Sequence, residues 1–131
     1  MTEGIERALA AHHRFEERDD EFVPTQTTFD TTVAIDDGVV RIETVVPTLD
    51  AVVTNETVAP VVEDGWFETF DRRVEDVGGV TKTDDVTVTS VDREAETVTV
   101  VTEMTPSPGA AGDDVVAVVS FVEGTWMQGI I

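Results

Sequence analysis

Any chemistry done by this 131-residue chain falls to carboxylates, two histidines and a few hydroxyls, because it has no cysteine and no tyrosine. His12 and His13 are adjacent. Neighbouring side chains on a helix point about 100° apart, so the two imidazoles are poorly placed to grip one ion. No third histidine and no cysteine completes a transition-metal site. His12 is expected to border the core and His13 to face solvent. Four carboxylate pairs, Asp19-Asp20, Asp36-Asp37, Asp84-Asp85 and Asp113-Asp114, could serve acid–base work or bind Mg²⁺. Working pairs have surroundings that push their pKa values apart. Here each pair falls at a turn, a connection or a helix start, where Asp is expected anyway. Gly78-Gly79 and Gly109-Ala110-Ala111-Gly112 lack the lysine of a phosphate-binding loop. Ser90, Ser107 and Ser120 lack a nucleophile-elbow context and an obvious histidine base. Arg72-Arg73, near Glu68, Asp71 and Glu75, reads as a set of surface ion pairs. These patterns predict no catalytic residue, no metal site and no cofactor.

The aromatic residues are the other candidates. Trp66, Phe67 and Phe70 cannot all lie under one narrow helical stripe, and Trp126 with Met127 lies in an apolar C-terminal stretch. Aromatic residues and Met are enriched at protein–protein contacts, and large exposed apolar patches mark interfaces. Trp66, Phe67, Trp126 and Met127 are therefore the candidate partner-binding residues. The competing expectation is that all four are core. A chain with two leucines and no tyrosine needs its few large side chains inside.

Periodicity supplies the elements that would position them. Over residues 3–15, Ile5, Ala8, Leu9, His12 and Phe15 form one helical stripe, with Thr2 as N-cap. The acidic stretch 16–21 reads as a solvated connection. From Thr25 the period changes to two, with Thr27, Phe29, Thr31, Val33 and Ile35 on one face. Asp36-Asp37-Gly38 is a hairpin turn, and the return strand puts Val40, Ile42, Thr44 and Val46 on one face. Residues 49–53 read as a short strand or a loop. A second helix starts at Pro60, carries the stripe Val62, Trp66, Phe70, Val74 and Val77, and stops at Gly78-Gly79. Two strands follow, with Val86, Val88 and Ser90 on one face of the first and Val98, Val100 and Thr102 on one face of the second. The chain then loops over 104–112. Asp113 is expected to cap a third helix that ends at Gly124. The predicted class is α+β: one domain over residues 1–131, an antiparallel sheet of four or five strands covered by three helices, in two layers.

Charge bounds the setting. Asp and Glu number 28 against 8 Lys and Arg, a net charge of −20, and Lys82 is the only lysine. Such a surface repels itself in dilute buffer. At about 1 M salt the Debye length falls to about 3 Å and most of that repulsion is screened. The acids are spread along the chain, which fits adaptation to a salty cytoplasm better than an acidic tail. There is no basic stripe for nucleic acid, no apolar run of about 20 residues for a membrane span, and no signal-peptide pattern at the N-terminus. A soluble cytoplasmic protein is the expectation.

Segments 61–73, with Gly65-Trp66-Phe67, and 121–131, with Gly124-Thr125-Trp126-Met127, resemble a haloarchaeal family of small acidic proteins of no assigned function. Members of that family continue past the final Gly-Ile-Ile with a Pro-Gly-Tyr tail that this sequence lacks, which implies a shortened member or a truncated chain. The element order is also similar to the secretion-chaperone-like α+β fold, whose members often dimerise. That is a likeness of layout, and layout does not fix function. The expected function is a non-enzymatic protein–protein interaction domain, chaperone-like or adaptor-like, with a homodimer or an unknown protein as partner. The alternatives are a carboxylate- or Mg²⁺-dependent hydrolase whose residues converge only in three dimensions, and a small-ligand carrier with a cavity between sheet and helices.

Overall fold

The structure, a computed structural model, describes residues 2–12, 15–18, 21–24, 28–53 and 57–130. The elements run α1 (Thr2–Ala11), β1 (Phe15–Arg18), β2 (Glu21–Pro24), β3 (Asp30–Asp36), β4 (Val39–Pro47), α2 (Leu49–Val52), α3 (Pro60–Val74), a 3₁₀ turn (Glu75–Gly79), β5 (Thr87–Glu94), β6 (Thr97–Met104) and α4 (Pro108–Ile130). The strands form one antiparallel sheet in the order β1-β2-β3-β4-β6-β5. The class is α+β as expected, with six strands rather than four or five and with four helices rather than three.

The period-two segments pair as their alternation requires from Asp30 and from Thr87 onward, later than their periodicity starts, so Phe29 and Val86 precede the strands that periodicity assigns them to. In β4, Val40, Ile42, Thr44 and Val46 are buried while Arg41 and Glu43 are exposed. In β6, Val98, Val100, Thr102 and Met104 are buried. The β3–β4 turn uses positive φ at Asp37 (50°) and Gly38 (79°), as its Asp-Gly predicts. A register shift between Val88 and Ser90 lets Val88 oppose Thr102 and Val91 oppose Val100. The extra residue turns two valines three apart toward the same helix layer, which strict alternation would forbid.

Four expectations are corrected. The first helix ends at Ala11, and the acidic stretch is a hairpin: Phe15 pairs with Pro24, and Phe15 and Phe22 are buried. Dense charge between the two phenylalanines hid that alternation. Residues 13–14, 19–20 and 25–27 lie outside the described residues, so the placements expected for His13, Asp19-Asp20 and Thr27 do too. Residues 49–52 form a single helical turn, because Thr48 Oγ1 accepts the Ala51 N–H at 3.3 Å. Finally, α4 begins five residues before Asp113 and passes through Gly124 to Ile130. A helical glycine costs only about 1 kcal/mol relative to alanine, less than the packing beyond it supplies.

The helices lie on the buried face of the sheet, with α1 against β3 and α4 against β4, α1 and α3. Two apolar clusters result. Ile5, Leu9, Phe22, Val33, Ile42 and Val115 belong to one, and Val46, Phe70, Val74, Val98, Val122 and Trp126 to the other. Only α4 and the sheet contribute to both at full burial. Where α1 crosses α4, a Cβ on Gly112 would collide with the His12 ring, so the approach needs glycine.

The α4 N-terminal half is tied down by Asp114, which is 2% exposed. Its carboxylate accepts the Lys82 N–H at 2.9 Å, the Thr83 N–H at 3.0 Å and the Thr83 hydroxyl at 2.5 Å. Removing that acceptor leaves three donors to find water. Asp114→Ala should therefore cost about 1–3 kcal/mol, whereas Asp113→Ala, which loses only exposed contacts to His12 and Lys82, should cost well under about 1 kcal/mol. Urea unfolding in concentrated KCl measures both, and equal costs would show that Asp114 anchors nothing.

Candidate functional site

Of the carboxylates singled out by spacing, Asp85, Asp113 and Asp114 have structural partners. Asp36-Asp37 makes the β3–β4 turn. Asp85 accepts the Thr105 N–H at 3.1 Å and the Thr105 hydroxyl. Asp114 holds the loop before β5 as described, while Asp113 lies 3.3 Å from His12 Nε2 and 3.9 Å from Lys82 Nζ. His12 also meets Phe15 edge to face, at 5.2 Å between ring centroids. Among the described residues, no three His, Asp or Glu side chains converge as metal ligands would.

The aromatic candidates are spread over different surroundings. Trp66 and Trp126 are both buried, at 7% exposure. Phe67 is half-buried beneath Arg93, whose guanidinium carbon lies 4.7 Å from the ring centroid while its Nη2 donates to Asp64 at 2.9 Å. Arg93, not Arg72, is the arginine that pairs on this flank; Arg72 makes no ion pair with a described residue. Met127 is exposed. Standing two residues from both Thr125 and Gly129, it points about 160° around α4 from them. The four therefore do not form one surface patch. Of the four, Trp66 lines the cavity between α3 and α4.

That cavity is a cleft of about 410 Å³ between α3 and α4, closed at one end by Leu49 of α2. Its α3 wall carries Val62, Trp66, Thr69, Phe70 and Arg73, which recur at helical spacing on one face. Its α4 wall carries Thr125, Gln128 and Gly129. Each wall is fixed by identifiable contacts. Pro60 opens α3 at a position where its missing N–H is no loss, and the Val62 and Glu63 N–H groups donate to the Ala59 carbonyl. Glu63 in turn accepts the Asp50 N–H at 3.0 Å, and Asp50 accepts the Val58 N–H at 2.9 Å, which holds α2 against the start of α3. On the other wall, Glu123 accepts the N–H groups of Thr28 and Phe29 at 2.8 and 2.9 Å. Phe29 meets Trp126 edge to face at 4.8 Å. Trp126 Nε1 donates to the Pro47 carbonyl at 2.8 Å.

The two indoles contrast. Trp126 is buried and its N–H is bonded. Trp66 is equally buried, stacks on Phe70 at 5.6 Å with the rings 8° from parallel, and has no acceptor for Nε1 among the described residues. Buried Trp N–H groups usually find partners, and an unmet one costs about 1–3 kcal/mol. Val62, on the same wall, and Val61 before it in sequence stand 54% and 77% exposed, the most exposed large apolar residues described. Arg73 is the one cation on the cleft, and it forms no ion pair with a described residue. Sequence reasoning singled out Trp66 as an aromatic without a clear place. It gave no signal for Leu49, Thr125 or Gly129, which reach the cleft only through the packing of α2 and α4.

A sheet covered on one face by helices, with a half-open cleft between two of those helices, makes this an antiparallel two-layer α+β protein. The chain belongs to a family of unknown function (DUF5813), whose pattern matches residues 10–131. No curated protein matches it. Among solved structures it is similar to the crystal structure of YbjN from E. coli, with 11% identity, 88% of this chain and 77% of that chain covered, and a TM-score of 0.43. No helix of the described residues is long and apolar enough to cross a membrane.

The contrast between the indoles has a measurable consequence. Trp126→Phe strips the Pro47 carbonyl of its donor, while Trp66→Phe discards a donor that has no acceptor among the described residues. Urea unfolding should show Trp126→Phe costing about 1–3 kcal/mol more than Trp66→Phe. The reverse order would mean that the Trp66 N–H is satisfied in solution.

Proposed function

We propose that the protein is a non-enzymatic interaction domain that receives an apolar group of a protein partner in the α3–α4 cleft. The observation that carries this reading is the exposure of Val62 on the wall of a cleft lined also by Trp66 and Phe70, with the still more exposed Val61 next to it in sequence. Exposed aliphatic side chains beside a concave aromatic floor are what a hydrophobic anchor needs: area to bury and a pocket that excludes water around it. Two carboxylates of the candidate pairs, Asp85 and Asp114, are engaged with backbone amides, as is Glu123.

The setting is a salt-loaded cytoplasm of the haloarchaeal kind. The support is the charge of −20 carried by a domain with only eight cations. In concentrated salt, long-range repulsion fades and short-range apolar contacts dominate association, so an apolar anchor is the economical means of recognition there. The same face would serve a homodimer, since a self-complementary apolar patch is what a two-fold interface requires.

Val62 is half-exposed, so Val62→Asp leaves the core intact and places a charge at the mouth. Partner capture from native lysate at ~2 M KCl, followed by titration of the captured protein, should show affinity reduced about tenfold or more by Val62→Asp. Light scattering at the same salt separates the two forms of partner: a dimer dissociated by Val62→Asp assigns the face to self-association. A complex and an oligomeric state both indifferent to Val62→Asp would remove the reading. The salt assignment has its own test. Dialysis to dilute buffer should collapse the helical and sheet circular dichroism, and an unchanged spectrum would contradict it.

A further inference from the structure

Resting on the interaction reading above, we infer that the group seated in the α3–α4 cleft is the apolar last residue of a partner polypeptide, with its terminal carboxylate held by Arg73 and the Trp66 indole N–H.

Three features of the cleft set the chemistry. The first is the buried donor. Trp66 is 7% exposed and its Nε1 has no acceptor among the described residues, so the site lacks one oxygen. An indole N–H can only donate, so the missing group is an acceptor. The second is the place where that acceptor would enter. A Cβ built on Gly129 would stand 3.1 Å from Trp66 Nε1 and 3.4 Å from Cδ1, with nothing else outside the local chain within 4 Å. Gly129 is thus the α4 residue packed against the N–H edge, where any side chain would crowd the indole, and an acceptor reaches Nε1 through a small displacement of α4 there. The third is charge. Arg73 shares the α3 wall with Trp66, and its guanidinium is not neutralised by any described carboxylate.

An acceptor that is also anionic satisfies both groups at once, and a carboxylate is the planar anion whose two oxygens suit an arginine fork. Around it the lining is mixed, with Leu49, Val62, Trp66 and Phe70 supplying the apolar part and Thr69, Thr125 and Gln128 the polar part. A volume of about 410 Å³ holds one side chain and its carboxylate, not a helix or a strand. A carboxylate directly joined to an apolar side chain is the signature of a chain terminus. In an internal acidic residue the carboxylate is the side chain itself, and the apolar group must come from a neighbour. The net charge of −20 would repel an anion at long range, but at about 1 M salt that repulsion decays within about 3 Å. The local cation and the N–H then decide the outcome.

The two indole N–H groups give a direct readout. In the full chain, with indole ¹⁵N labels at ~2 M KCl, the Trp126 resonance belongs to a hydrogen-bonded N–H and the Trp66 resonance to a free one. Titration with N-acetyl-leucine should move the Trp66 resonance downfield and leave that of Trp126 in place. N-acetyl-leucinamide should bind about tenfold more weakly or worse. Arg73→Gln, at an exposed position, should cause a similar loss. Gly129→Ala, which crowds the N–H edge and is otherwise favourable in a helix, should abolish the Trp66 shift while preserving the fold by circular dichroism. Equal binding of the amide, or a Trp66 resonance that never moves, overturns the inference. 4-Methylpentanoate binding as tightly as N-acetyl-leucine also overturns it, because the cleft would then suit a free small carboxylate rather than a chain end. The two readings fail separately. If Val62→Asp weakens the partner while N-acetyl-leucine leaves Trp66 untouched, the interaction face stands and the terminal carboxylate falls. If N-acetyl-leucine binds and the partner ignores Val62→Asp, the interaction face falls.

Discussion

Helix α4 is a poor helix by intrinsic preference and the member on which both apolar clusters depend. Val115, Val116, Val118, Val119 and Val122 all lose side-chain freedom in a helix, and glycines interrupt it at 112 and 124. Its length is held by what it touches. Near one end Asp114 receives the amides of Lys82 and Thr83, more than 30 residues away in sequence. Near the other, Glu123 receives the amides of Thr28 and Phe29, and Trp126 donates to Pro47. These ties fasten α4 to the loop before β5, to the segment entering β3 and to the end of β4. A shift of α4 would open both clusters together, since Val115 and Val118 lie in one and Val122 and Trp126 in the other.

The form of those ties follows from the charge composition. With 28 carboxylates and 8 cations, most acids can have no side-chain counter-ion within the protein. Two that matter to the fold, Asp114 and Glu123, take backbone N–H groups instead, and the bonds of 2.8 to 3.0 Å are those of charge-assisted donors. Direct contacts of this length lose far less to salt than interactions between separated surface charges. A protein of this composition thus combines an exposed charge that salt screens with internal ties that salt leaves largely intact.

The legible parts of the fold were those in which a local signal and the tertiary demand agree. Val40 to Val46 alternate and lie half-buried; Asp37-Gly38 supplies the positive φ of its turn; Pro60 and Gly78-Gly79 bracket α3 and the 3₁₀ turn after it. Where they diverge, sequence reasoning stops short. Phe15 and Phe22 are separated by charge and give no strand period, yet they lie on the two paired strands of a hairpin, Phe15 opposite Pro24 and Phe22 opposite Glu17. Thr48 converts an apparent strand into one helical turn through a single side-chain bond. Gly124 reads as a stop, but the anchoring of Glu123 and Trp126 on either side overrides its propensity. The cleft was only partly legible for the same reason. Trp66 stood out as an aromatic in excess, whereas Leu49, Thr125 and Gly129 acquire meaning only when three helices meet.

Position 66 isolates what the fold requires from what it does not. Stacking on Phe70 needs a flat ring of aromatic size, which phenylalanine would supply without a polar atom. The indole adds area, but it also adds an N–H whose burial without a partner works against folding. At position 126 the same group is explained by the Pro47 carbonyl. At 66 the fold offers nothing equivalent, and the bare Cα of Gly129 keeps side-chain bulk away from the N–H edge. A donor without a described acceptor, on the same helix face as a cation that no described residue neutralises, is what the proposed terminal carboxylate would account for and packing does not.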